Sequence, residues 1–252
     1  MIYLAFYRTN FLSYFLARKF ASNLFCSFIY FIVFISLAYG ETAFDLQNYS
    51  LEQALIIKSN CPIETPPCEV DLNTISEEKL LAGIAYGEAS TLNNFAEMAA
   101  IASATVRRRN AAHQLTVNAL VQKYRNFSYA VYDGNARYNR LMCSASQVPF
   151  AQAYEAARNA LYNGMDYAFG GCFWDGYDLK TKGVNHIKYK QGFRFIHPIH
   201  NLFCIPESPF IERIIGGKIY HYMFDSTAAH GGTILWKLNK EYLKAAGAGQ
   251  CL

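Results

Sequence analysis

The chain has 252 residues, is 52% hydrophobic and carries a formal charge of +4, enough for a single core of about 200 residues that buries roughly 70% of its unfolded surface, so no second core is required. The three basic residues before position 41 account for most of that charge, since the remainder holds 20 Lys and Arg against 19 Asp and Glu. A near-neutral remainder argues against a nucleic-acid-binding protein, and nucleic acid is not an expected partner. Residues 1–40 read as a signal peptide or membrane anchor: Arg18 and Lys19 precede "NLFCSFIYFIVFISLAYG", which holds no charge before Glu41. Ala38 and Gly40 are the small residues of a cleavage site, and cleavage after Gly40 is expected. The alternative is an uncleaved anchor, because Ala21 to Tyr39 approaches the ~20 residues that span a bilayer. Either way the expected location is periplasmic or secreted, with membrane contact only through residues 1–40.

Beyond that segment the cysteines are Cys61, Cys68, Cys143, Cys172, Cys204 and Cys251, an even number, as an oxidising compartment predicts. Residues 41–75 form an N-terminal arm in which Cys61 and Cys68 bracket "PIETPP" and are expected to close a local disulfide. The other four allow three pairings that the sequence does not rank. A first core helix is predicted from about Ser76 to Glu88, opened by a Thr74–Glu77 capping box. Leu81, Ile84, Ala85 and Glu88 fall at i, i+3, i+4 and i+7, which sets a carboxylate on an apolar face. A carboxyl group in such surroundings is costly to ionise, and a protonated one is what a general acid has to be. The second helix starts at Asn94, with Glu97 three residues later. Phe95, Met98, Ala99, Ala102 and Val106 mark its apolar face, and its many alanines suit a central helix packed on nearly all sides. Arg107 to Arg109 close it, where cations offset the macrodipole and a solvated end is expected.

A third helix is predicted at about Val117 to Lys123. Alternation through Phe127, Tyr129 and Val131, followed by Asp133-Gly134, then predicts a β-hairpin. "PFAQAYEAARNALYNG" reads as a helix with Pro149 near its start and Gly164 as its C-cap. From Asp166 the composition turns to Gly, aromatic residues and His, an aromatic wall or extended hairpin containing Trp174. "KIYHYMFDS" alternates as a later strand, and the end of the chain reads as a short helix or tail.

The order of helix, acid at its C-terminal end, small-residue central helix and then a hairpin beginning Phe-Ser resembles the core plan of the lysozyme-like superfamily. "LLAGIAYGEAS", "EMAAIASATVRRR", "FSYAVYDGNARY" and "AYEAARNALYNGMDYAFGGCFW" together resemble the bacterial cell-wall hydrolases related to spore cortex-lytic enzymes. The resemblance covers about residues 78–178. It implies an α+β, lysozyme-like fold: a mainly helical catalytic core over 76–180 with a small β-hairpin, and an aromatic-rich C-terminal extension over 181–252 packed on it. It also implies that Glu88, in Tyr86-Gly87-Glu88-Ala89, is the catalytic acid cutting the MurNAc-GlcNAc bond of peptidoglycan. The family's second acid, four residues further on, is here Leu92. The Asn that usually precedes the Arg of the central helix is Val106, while Arg107 falls in place.

Glycosidic cleavage needs a proton on the leaving oxygen and stabilisation of an oxocarbenium-like transition state. Two carboxylates give hydrolysis, as in a muramidase; with one, the sugar's own hydroxyl attacks and leaves an anhydro end, as in lytic transglycosylases. Asp133 is the only acid on the expected hairpin, and a turn role suits it better, so the single-acid route is favoured. Tyr86, Phe127, Ser128, Tyr129, Asp133 and Trp174 are the candidate substrate contacts, with Ser128 and Tyr129 facing the acid and Trp174 stacking on a sugar ring. The expected partners are glycan strands of peptidoglycan and an inhibitor or immunity protein. No cofactor and no metal is expected. The alternatives are a non-catalytic peptidoglycan-binding or inhibitor-type module of the same fold, and a zinc hydrolase using His197 and His200, which Pro198 and the lack of an HExxH motif disfavour. A Cys-His peptidase through Cys143 or Cys172 is disfavoured by the even cysteine count.

Overall fold

The computed structural model describes residues 70–125 and 128–251, which make an α+β unit. The signal or anchor segment, the arm up to residue 69 with its Cys61–Cys68 loop, and Phe127 lie outside the described residues. Helix α1 (Glu77–Glu88) starts as predicted, but its cap is Ser76, whose side chain accepts from the backbone N–H of Lys79. Glu77 takes no part in the expected box with Thr74. Its carboxylate instead receives Arg109 Nη1 at 2.6 Å and the N–H of Val117, tying the start of α1 to the far end of the next helix.

Helix α2 (Phe95–Ala111) is capped by Asn94, which accepts from the N–H of Glu97, and every residue from Glu97 to Val106 is buried. Alanine explains this burial, because small side chains let neighbours approach from two sides. On one side α2 packs against α1 and α6 (Ala151–Leu161) in a core that includes Leu81, Ile84, Met98, Ile101 and Leu141. On the other, Ala100 and Ala104 meet Ala168, Ala228 and Leu235 at the sheet. The arginines closing α2 are not solvated as expected. Arg107 pairs with Asp166 at 2.6 Å, Arg108 lies over the Phe173 ring at 4.8 Å, and Arg109 pairs with Glu77.

Helix α3 (Val117–Lys123) follows as predicted, capped by Thr116. The predicted hairpin does not form. Its place holds α4 (Tyr129–Tyr132) and α5 (Ala136–Met142), with Asn135 capping α5 through Tyr138 N–H. Asp133 and Gly134 end α4: Gly134 is left-handed at φ +70°, but Asp133 stays at φ −100°, whereas a type I′ turn needs positive φ at both positions. At the end of α6 the left-handed residue is Asn163, and Gly164 N–H closes the helix on the carbonyl of Asn159.

The aromatic segment contributes β1 (Phe173–Asp175), followed by α7 (Asp178–Lys182) and α8 (Ile187–Gln191). Strands β2 (Phe193–Arg194), β5 (Phe224–His230) and β6 (Thr233–Leu238) join β1 in a four-stranded sheet of order β1-β6-β5-β2. Only the β2–β5 pair is parallel. The single strand expected in "KIYHYMFDS" is two: β4 (Lys218–Tyr220), which pairs with β3 (Arg213–Ile215) in a separate hairpin, and the start of β5. Helix α9 (Lys240–Ala246) ends at left-handed Gly247. A second core gathers Phe193, Phe224, Ile234, Trp236 and Leu238 on the sheet face turned away from α2. Because β6 is the neighbour of β1, residues after 180 complete the sheet on which α2 rests.

Cys172 is disulfide-bonded to Cys251, which fastens the chain end to the residue before β1. Cys143 is also disulfide-bonded. Cys204 is free and exposed, so the even count does not translate into full pairing. Among the described residues no helix is long and apolar enough to cross a membrane.

Candidate active site

Glu88 is the last residue of α1 and is half-buried. Its Oε1 accepts from Ser128 Oγ at 2.9 Å and from the backbone N–H of Ala130 at 2.8 Å. Its Oε2 accepts from Trp174 Nε1 at 3.2 Å. Two chain segments, 128–130 and β1, far apart in sequence, thus converge on one carboxylate. Ser128 precedes α4 in the N-cap position but makes no cap bond of its own. Glu88 supplies that function instead, accepting from an N–H at the start of α4 that has no partner within the helix.

Close approach makes this seat possible. A Cβ at Gly87 would lie 2.9 Å from the Cβ atoms of both Ala130 and Tyr138, so a side chain there would push α4 and α5 off α1. The terminal carbonyls of α1 are met from the same segment: Asn135 Nδ2 donates to the Gly87 carbonyl and Arg137 Nε to that of Tyr86. The sequence offers a signal for this in a glycine one residue before the end of a helix.

Of the other candidates, Ser128 and Trp174 join Glu88. Trp174 packs against both helical clusters and donates a hydrogen bond to the acid, a role different from the expected open stacking face. Tyr129 is exposed on α4 beside Ser128. Asp133 is exposed at the end of α4 and, among the described residues, makes no hydrogen bond to Glu88. Tyr86 sits edge-on to Phe150 and under the Arg137 guanidinium. It lines a cleft of about 350 Å³ with Asn93, Pro149 and Gln152, whose lining does not include Glu88.

Glu97 is the residue that its helix-cap spacing concealed. It is fully buried, and its carboxylate accepts from Ser90 N–H (3.0 Å), Ser90 Oγ (2.6 Å), Gly232 N–H (3.0 Å) and Thr233 Oγ1 (2.7 Å). The loop following Glu88 is thereby fastened to the β5–β6 turn. Gly231 has φ +56°, and a Cβ there would stand 2.2 Å from Glu97 Oε2, so the turn closes on the carboxylate only with glycine.

At the end of β1, Asp175 pairs with Lys188 Nζ at 2.9 Å; Lys188 is buried and Asp175 mostly so. Burial pushes the Asp175 carboxyl up and the Lys188 ammonium down, each opposed by the attraction of its partner. Lys188 Nζ also lies 3.7 Å from the Phe224 ring centroid. His200 Nδ1 is 2.8 Å from Ser226 Oγ, and the His197 and His200 rings are 5.9 Å apart. Burial, with His197 and His230 nearby, pulls His200 below the ordinary histidine value. Among the described residues no group of three or more His, Cys, Asp or Glu is placed to hold a metal ion.

The arrangement around Glu88 can hold a carboxylate in one orientation, and among the described residues Oε2 takes a single, longer bond from Trp174, so a ligand oxygen could arrive there. No protein-family model, no curated protein and no solved structure matches the chain.

Proposed function

We propose that the protein is an exported peptidoglycan-cleaving glycosidase that uses Glu88 as its general acid on the MurNAc-GlcNAc bond. The observation that carries this reading is the seat of Glu88: a helix-end carboxylate oriented by a side-chain hydroxyl and a backbone N–H from the start of α4 and by an indole N–H from β1. The lysozyme-like fold and the substrate rest on the sequence resemblance and on the export reading of residues 1–40.

In this reading the glycosidic oxygen approaches Oε2, the Glu88 proton moves to it, and the C1–O bond breaks. Two further acids, Glu97 and Asp175, are engaged elsewhere, Glu97 with four donors and Asp175 with Lys188. That favours the single-acid route. A hydroxyl of the same sugar attacks C1, its proton returns to Glu88, and an anhydro end results.

Mass spectrometry of purified sacculi treated with the wild type and with Glu88→Gln tests the reading. Anhydro ends from the wild type and none from the variant are expected. Reducing ends would replace transglycosylation by hydrolysis, and equal cleavage by the variant would remove Glu88 from the chemistry.

A further inference from the structure

The β3–β4 hairpin carries an apolar surface on the side that antiparallel strands ordinarily leave polar. Ile214 and Ile219 are cross-strand partners, 71% and 52% exposed. At the entrance to the hairpin, Phe210 (68% exposed) stacks on His221 and is followed by Ile211 (51% exposed). The opposite side is occupied: Tyr220 meets Tyr242 of α9 edge-on at 5.1 Å, and Arg213 donates to the carbonyls of Lys190 and His221. The isoleucine pair therefore points outward on a ribbon that has two strands among the described residues, ending in Gly216-Gly217 and exposed Lys218.

Charge separates along the chain in the same sense. From Thr181 to Leu252 there are nine Lys and Arg against four Asp and Glu, whereas residues 70–180 hold ten of each. Two of the nine, Lys182 and Lys188, pair with Asp178 and Asp175 of the earlier stretch, which leaves seven cations against four acids in the region that presents the hairpin, with Glu212 the one acid between Phe210 and Tyr220. Exposed apolar side chains on a hairpin, set in a basic region, suit a fluid apolar phase behind an anionic surface better than a rigid protein partner.

We propose that the β3–β4 hairpin docks on anionic lipid bilayers, with Ile214 and Ile219 entering the interface and Lys218 meeting the headgroups. The contact is independent of Glu88 chemistry and separate from residues 1–40.

The test uses the full chain carrying Ile219→Trp, added to vesicles of phosphatidylcholine alone or mixed with phosphatidylglycerol, each with a brominated acyl chain. The parent chain supplies the background from Trp174 and Trp236. The expected result is blue-shifted, quenched emission from position 219 in the anionic vesicles only. Adding Lys218→Ala should lower the ratio of quenched to unquenched hairpin about fivefold, and 1 M salt should weaken quenching. Attachment through residues 1–40 does not itself produce quenching at position 219. Unquenched emission in anionic vesicles overturns the proposal, as does equal quenching in both lipids. A blue shift that grows with protein concentration without vesicles would instead assign the face to a second copy of the chain.

Discussion

Trp174 has its indole N–H on Glu88 Oε2, so replacing it by Phe removes one hydrogen bond and keeps most of the packed ring. A bond to a charged group contributes about 1.5–3 kcal/mol. Trp174→Phe should therefore lower sacculus cleavage about 10- to 100-fold while circular dichroism stays unchanged. An equal loss of activity and secondary structure would make Trp174 only a core residue. Glu97 gives the opposite signature. Glu97→Ala strands buried donors of Ser90, Gly232 and Thr233, at a cost of about 3 kcal/mol. The urea midpoint should fall with an unchanged slope, and a midpoint equal to wild type would show that these donors find other acceptors.

Helices α1, α2, α3 and α6 were legible because each combines a 3.6-residue apolar pattern with a start or stop residue, and such signals are local. The segment around Tyr129 was not. Alternation over five residues does not distinguish one helical turn from a strand, and Asp-Gly ends helices as well as hairpins. Glu88 and Ser128 could be paired from their motifs, while Ala130 contributes a backbone N–H that leaves no mark in a sequence. The role of Glu97 depends on a strand turn 135 residues away, beyond any local pattern. The loop 166–171 is a similar long-range product: Asp166 accepts from Arg107, Ala168 N–H and Gly170 N–H. Burial raises its carboxyl, but these hydrogen bonds outweigh burial and hold it below the usual range. A depressed folded value adds stability above the unfolded pKa of about 3.9 that is lost as pH falls through the folded one. Arg107→Met should thus cost about 1 kcal/mol at pH 7, the value of a solvent-screened pair, and less at pH 2, where protonation of Asp166 removes part of the pairing. Denaturation curves at both pH values check this, and a difference independent of pH would place the effect in packing alone.

At the scale of the molecule, the Cys172–Cys251 bond closes a loop of 79 residues that contains the sheet and the second core. Loop-closure entropy assigns such a crosslink about 4 kcal/mol. The Cys172→Ala/Cys251→Ala double variant should show that loss in guanidinium unfolding, and added reductant should not destabilise it further through this bond. The Glu97 contacts bear on the order in which the molecule becomes complete. A chain is made from its N-terminus, so Glu88, Ser128 and Trp174 exist well before Gly232 and Thr233 arrive to satisfy the carboxylate beside them. Until then the loop after Glu88 has no anchor, and β1 lacks its partner β6. The setting of Glu88 therefore stays unassembled during synthesis and is complete only when the chain has been made as far as Thr233.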